Sequence, residues 1–159
     1  MFTKQVRTIL AVLLSSSVLF GLAAPTAAIS GGGHILGGAA AGTLAGSPEG
    51  AFVLGLASHA LLDAIPHYDY DLTTQIVLLV GAGALVKWQY DQTGDLRIIA
   101  GAVGGFLPDI EHVLKKLGIQ NDKYFPTHNG AIPHGKAKNL WHGLWLEVGI
   151  VGVLWGLAF

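Results

Sequence analysis

Long uncharged segments separated by short polar punctuation constrain this chain more than any other feature. One such segment runs from Thr8 to Pro48, and another runs from Leu72 to Val86. Charged residues make up 12% of the 159 positions and apolar residues 52%. The charged fraction is about half that of an average soluble domain, and a chain this small could not bury so much apolar surface in water. The pattern therefore excludes a disordered chain and favours a small membrane protein.

The apolar segments end at residues that typically start or stop helices, and they show no alternation of apolar and polar residues as in a strand. An all-α fold is therefore predicted. Ser47-Pro48 is typical of a helix start, and Pro66 of a helix end. We expect helices over His34–Gly46, Glu49–Ile65, Leu72–Val86, Leu96–Leu107 and Leu140–Phe159, with Gly31-Gly32-Gly33 as a chain break and a loop from Gln89 to Asp95. The expected architecture is a compact bundle of about five to six apolar helices in a polytopic membrane protein. A soluble helical bundle is the alternative.

Residues 1–28 have the features of a signal peptide or an N-terminal membrane anchor. Lys4 and Arg7 precede an apolar stretch, and the small residues Thr26 and Ala28 stand at the −3 and −1 positions of a cleavage site. The stretch is also long enough to remain as an uncleaved spanning helix. Residues 29–159 then form a single helical domain in the cell inner membrane, and the distribution of basic residues leaves its orientation open.

The chain has no cysteine but seven histidines, and several of these are spaced with carboxylates. His59 and Asp63 are four residues apart, and Asp109 and His112 are three apart, so each pair shares a helix face. Tracing the helix directions predicts that one face of the membrane collects most of these groups. They are His34, His59, Asp63, His67, Asp109, Glu111, His112, His128 and His134. The opposite face receives Glu49, Lys87, Asp91, Asp95 and Arg97.

Such a cluster points to a metal site, because buried carboxylates in lipid are costly unless they are paired or bind a cation. Imidazole and carboxylate suit Zn²⁺, with Mn²⁺ or Fe²⁺ as alternatives. The candidate ligands outnumber one tetrahedral set and would serve one or two ions. Two metal ions about 3.5–4 Å apart would suit phosphoester hydrolysis by a metal-activated water. The expected metal ligands are His34, His59, Asp63, His67, Asp109, His112, His128 and His134.

Structural roles are open for several of the same residues. Glu111 is the candidate catalytic residue, as a general base, or a solvated acid at a helix start. Asp109 is a metal ligand or a helix cap after Pro108, and His59 with Asp63 is a ligand pair or a polar contact between helices. Glu147 lies in an apolar run, where an ionisable residue is a functional candidate or a packing partner.

At four short motifs the sequence resembles the bacterial membrane-bound metal-dependent hydrolases, whose members include SOS-regulated inner-membrane proteins. The motifs are Gly-His-Ile-Leu-Gly-Gly at 33–38, Ser-His-Ala-Leu-Leu-Asp at 58–63, Leu-Pro-Asp-Ile-Glu-His at 107–112 and a His-x-Gly loop at 128–130. The second is also similar to the zinc-dependent phospholipase C superfamily. The resemblance implies a helical di-metal hydrolase with His34, His59, Asp63, Asp109 and His128 as ligands. The 128–134 loop departs from the family pattern, since it lacks an arginine and follows the Ser-His motif.

The leading hypothesis is a hydrolase that acts on small-molecule or lipid phosphoesters and contacts membrane lipid. A non-catalytic metal-binding or transport protein is the second, with Glu147 as its only deep polar candidate. A bis-histidine haem protein is the third, and Asp63 and Asp109 count against it. Nucleic acid is not an expected partner, because the net charge is −1 and the nine basic residues are scattered.

Overall fold

The computed structural model describes residues 30–65, 68, 70–132 and 139–159. Residues 1–28, His67 and His134 lie outside this part of the chain. Every regular element within it is helical, which confirms the all-α prediction. The elements are α1 (Gly31–Gly42), α2 (Pro48–Asp63), α3 (Leu72–Thr93), α4 (Leu96–Phe106), a 3-10 turn (Leu107–Asp109), α5 (Ile110–Lys116) and α6 (Leu140–Ala158).

Helices α1, α2 and α4 pack together through glycines at the centre of the bundle. A Cβ on Gly38 or on Gly55 would lie far inside contact distance of the Gly101 carbonyl oxygen. A Cβ on Gly105 would meet the carbonyl oxygen of His34 in the same way. Backbone therefore lies directly on backbone, as in helix pairs built from small residues. This close approach brings the last turns of α2 and α4 beside the first turns of α1.

Helix α1 begins at Gly31, so the predicted chain break at the three glycines is wrong. Ser30 caps the helix, and its Oγ accepts a hydrogen bond from the Gly33 N–H at 3.1 Å. Gly32 packs on α3, where a Cβ would lie 2.7 Å from the Leu78 carbonyl oxygen. The glycines are required for this packing, which outweighs their poor helix propensity. As a result His34 lies inside the helix and does not open it.

Helix α3 continues to Thr93, so the loop predicted from Gln89 onwards is wrong over residues 89–93. Lys87 Nζ donates to Asp91 Oδ2 at 2.6 Å one turn along the helix. The helix ends only at Gly94, whose φ of 66° is the left-handed conformation typical of a C-terminal cap. The observed 22 residues span about 33 Å, enough for a hydrocarbon core of about 30 Å.

Two helices in the described residues are long and apolar enough to cross a membrane. They are Leu72–Thr93 and the segment Trp141–Ala158 of α6. Most of each faces outward, including Val77 and Val80 on α3 and Trp145 on α6. Apolar surface of this extent marks contact with lipid or with a partner.

Candidate metal centre

The last turn of α2 places two of the predicted ligands on one face. His59 and Asp63 are separated by one helical turn, and His59 Nε2 lies 3.1 Å from Asp63 Oδ2. Both side chains are completely buried. Burial of a carboxylate at the end of an apolar helix requires compensating partners, and two other parts of the chain, α1 and the loop over residues 120–132, supply them.

Asp63 is the centre of the cluster. His34 Nε2 from α1 lies 3.1 Å from Asp63 Oδ1, and His128 Nε2 from the 120–132 loop lies 3.5 Å from Oδ2. Thr127, the residue before His128, donates its hydroxyl hydrogen to Oδ2. One carboxylate therefore joins α1, α2 and the loop.

The electrostatics of the cluster favour positive charge. Burial by itself would raise the pKa of Asp63, but hydrogen bonds from His128, His34 and His59 hold that pKa far below its ordinary value. Burial would likewise lower the pKa of His59, yet Asp63 and the charge of Asp109 raise it above its ordinary value. The field at this point therefore stabilises a cation, either a proton on His59 or a metal ion.

His59 is oriented through its other nitrogen. Its Nδ1 lies 2.7 Å from the carbonyl oxygen of Gly105, which can only accept, so Nδ1 carries the proton. In the neutral ring the lone pair of Nε2 then points at Asp63 Oδ2 and at His128 Nε2, 3.2 Å away. These two nitrogens and the carboxylate oxygen lie close enough together to share a proton or to bind one metal ion. A ring held by Nδ1–H to a backbone carbonyl is also the usual arrangement of a metal-ligating histidine.

Asp109 and His112 extend the cluster toward α5. Asp109 Oδ1 lies 3.8 Å from His128 Nε2, and the rings of His112 and His128 are 4.3 Å apart. Three overlapping triads have ligand atoms within 4.8 Å of one another. They are His34–His59–Asp109, His59–Asp63–His128 and Asp109–His112–His128.

The donor set fits a divalent cation. Imidazole nitrogens and carboxylate oxygens are ligands that zinc accepts. Two buried polar atoms in the cluster, His34 Nδ1 and Asp109 Oδ2, have no hydrogen-bond partner among the described residues. Buried polar atoms are rarely left in this state, and a bound cation with its water would satisfy them.

The Glu111 side chain is partly exposed, at 16%. Its carboxylate accepts hydrogen bonds from the backbone N–H groups of Tyr124 and Phe125, at 3.1 and 3.0 Å. Its Oε2 also lies 3.5 Å from His128 Nδ1. Glu111 thus joins α5 to the loop that carries His128. Its action as a general base stays a prediction.

The structure places seven of the nine predicted site residues around one point. They are His34, His59, Asp63, Asp109, Glu111, His112 and His128. His67 and His134 fall outside the described residues and stay predictions. Sequence reasoning missed Thr127 and the Gly105 carbonyl. Thr127 could have been suspected from its place beside His128, whereas a backbone carbonyl leaves no signal in a sequence.

Comparison with protein-family models, with curated proteins and with solved structures gave no match to this chain. The chemistry of the site is therefore inferred from its own residues.

Proposed function

We propose that this chain is a membrane-bound, metal-dependent hydrolase of phosphoesters. The observation that carries the proposal is the buried convergence of three histidine Nε2 atoms on Asp63, with His59 oriented by the Gly105 carbonyl. The motifs that resemble the bacterial membrane-bound metal-dependent hydrolases contribute His34, His59, Asp63, Asp109 and His128 to this cluster, which supports membership of that family.

The chain's own residues would prepare the site in three ways. His34, His59, Asp63, Asp109 and His128 would hold one or two ions, zinc being favoured by the donor set. A bound ion would polarise the phosphoester and lower the pKa of a water molecule. Thr127 fixes one oxygen of Asp63, and Glu111 fixes the His128 loop, so both ligands are held before substrate arrives. Burial of the cluster excludes bulk water and strengthens its electrostatics.

We further propose that α3 and α6 cross the cell inner membrane, so that the protein is multi-pass. Both helices expose apolar side chains along their length. Trp88 near the end of α3 and Trp141 at the start of α6 are exposed, as expected for aromatic residues at the membrane interface. The shorter α1 and α2 carry His34, His59 and Asp63, and α4 supplies the Gly105 carbonyl that orients His59.

Hydrolysis can be tested directly with the detergent-purified full chain. After removal of metal with EDTA, the protein is loaded with Zn²⁺, Mn²⁺ or Fe²⁺ and assayed on bis(p-nitrophenyl) phosphate. We expect metal-dependent turnover that Asp63→Asn lowers at least about 100-fold, because a metal supplies several kcal/mol of transition-state stabilisation. Asp91→Asn, on the exposed part of α3, is the matched control. A chain that binds metal but never hydrolyses would favour a non-catalytic metal-binding protein.

The role of Glu111 is tested by Glu111→Gln. Because Glu111 holds the His128 loop, we expect the substitution to lower metal affinity about 10–100-fold, as loss of a supporting contact does. Turnover at saturating metal should stay close to that of the wild type. Competition with a chromophoric chelator measures the affinity, and Glu49→Gln at the opposite end of α2 is the control. Unchanged affinity with abolished turnover would instead show that Glu111 is the general base.

A further inference from the structure

Lys123 places a positive charge at the edge of the metal centre. Its ammonium nitrogen lies 3.1 Å from Nδ1 of His112, and the side chain is partly buried. The two residues that follow it, Tyr124 and Phe125, are held to α5 because their backbone N–H groups donate hydrogen bonds to Glu111. The position of Lys123 is therefore set by the packing of the 120–132 loop on α5.

The contact with His112 holds the ammonium group beside the metal ligands. An ammonium group can only donate, so Nδ1 of His112 accepts one of its three N–H groups. One ring nitrogen of His112 lies within 4.8 Å of ligand atoms of Asp109 and His128. The ammonium group of Lys123 is therefore next to the cluster, and two of its N–H groups remain to serve a further acceptor.

Lys115 adds a second positive charge on the same side. It follows His112 by three residues on α5, so the two side chains share a helix face. Burial lowers the pKa of Lys123, and the charge of Lys115 lowers it further, whereas Glu111 and Asp109 act in the opposite direction. Two cations that are close enough to repel each other are stabilised by an anion that contacts both.

The charges of the metal centre itself require such cations if the substrate is an anion. One divalent ion would leave the three carboxylates Asp63, Asp109 and Glu111 with one excess negative charge, which repels a phosphate group. Lys115 and Lys123 reverse the sign of this charge. A phosphate dianion then gains more than a monoanion from the same two ammonium groups.

We propose that Lys123 and Lys115 form an anion subsite that selects phosphomonoesters as substrates of the metal centre. This assignment rests on the proposed function. A phosphomonoester dianion has more non-ester oxygens and more negative charge than a phosphodiester. When the metal centre holds part of the phosphate group, a monoester therefore retains an oxygen and a charge for the ammonium groups. Soluble phosphate monoesters and the headgroup of phosphatidic acid share this chemistry.

Binding can be measured without turnover by isothermal titration calorimetry on the zinc-loaded full chain in nanodiscs of phosphatidylglycerol. The probes are inorganic phosphate, which has no ester to cleave, and dimethyl phosphate, which is a diester monoanion. We expect inorganic phosphate to bind at least about tenfold more tightly than dimethyl phosphate. Lys123→Gln should weaken phosphate binding at least about tenfold, the ratio expected from one hydrogen bond to a charged group. Lys115→Gln should have a smaller effect in the same direction, because Lys115 is exposed.

Two controls separate this role of Lys123 from a structural one. Lys87→Gln removes an exposed lysine on α3 and should leave the phosphate affinity unchanged. Lys123→Arg keeps the charge and should retain most of the affinity that Lys123→Gln loses. The zinc content of each variant is measured as well, since loss of zinc from Lys123→Gln would show that Lys123 supports the cluster and does not bind the anion.

Competition identifies the source of the monoester. Weaker phosphate binding in the presence of glycerol 3-phosphate indicates a soluble substrate, and weaker binding in nanodiscs that contain phosphatidic acid indicates a lipid headgroup. Equal binding of both probes, or unchanged phosphate affinity in Lys123→Gln protein that retains zinc, would overturn the inference. Phosphate binding that depends on Lys123, without hydrolysis of any ester, would refute the hydrolase alone. Hydrolysis without such binding would refute the anion subsite alone.

Discussion

Asp63→Asn is expected to abolish the thermal stabilisation that zinc confers on this protein. At a zinc concentration of 100 times Kd, the wild type should gain about 2.7 kcal/mol. For a chain of this size, that gain corresponds to a rise of roughly 5–10 °C in the melting midpoint. Asp63 contacts His34, His59 and His128 at once, so a neutral amide there removes the charge around which the three rings are arranged. Differential scanning fluorimetry with and without zinc measures the effect.

The same substitution should destabilise the metal-free protein. Removing one member of a buried charged cluster costs about 3–5 kcal/mol, because the remaining polar groups lose their compensation. The control is Asp91→Asn, at an exposed carboxylate paired with Lys87, since such pairs contribute about 1 kcal/mol or less. An Asp63→Asn protein that zinc stabilises as strongly as the wild type would remove Asp63 from the proposed ligand set.

Gly105→Val is expected to damage both the bundle and the metal centre. The added Cβ would strike the His34 carbonyl oxygen and would lie 3.0 Å from the Gly38 Cα. Both obstacles are backbone, so α1 and α4 must separate. Overpacking costs about 1–3 kcal/mol or more. Separation would also displace His34 and the Gly105 carbonyl that orients His59, so zinc affinity should fall together with stability.

The matched control for this substitution is Gly83→Val on α3. A Cβ there meets no atom within 4 Å, and valine is a better helix former than glycine. We expect a neutral or slightly stabilising effect and unchanged zinc affinity. Thermal unfolding and chelator competition on both variants compare the two positions. Equal stability and affinity in Gly105→Val and Gly83→Val would contradict the close packing of α1 on α4.

Local signals predicted part of the fold and failed where tertiary contacts decide. The start of α2 follows from Ser47 and Pro48, and Leu96 begins α4 as expected. The start of α1 is not predictable from the sequence because glycine is a poor helix former. In the structure Gly32 packs on the Leu78 backbone, and this tertiary contact outweighs the low helix propensity. The loop predicted from Gln89 is wrong over residues 89–93 because Asp91 accepts a hydrogen bond from Lys87 one turn earlier, which extends the helix.

The candidate site was predictable where helix spacing and helix direction are enough, and unpredictable where distant segments pack together. The spacing of His59 and Asp63 requires only helix geometry, and helix direction was enough to expect His34 and Asp109 nearby. The contact of Thr127 with Asp63 and that of Ser30 with Glu147 join residues 64 and 117 positions apart. Such contacts depend on how α6 and the 120–132 loop pack, and no local pattern records that packing.

The metal content of the purified protein shows whether the cluster of histidines and carboxylates binds an ion. Detergent-purified protein, stripped with EDTA and reloaded with each candidate ion, would be measured by plasma mass spectrometry beside a His59→Ala/Asp109→Ala double variant. We expect about one or two zinc, manganese or iron ions per chain in the wild type and loss of metal in the variant. A wild-type protein that retains no ion after reloading would contradict it, and the buried histidines would then serve as polar contacts between helices.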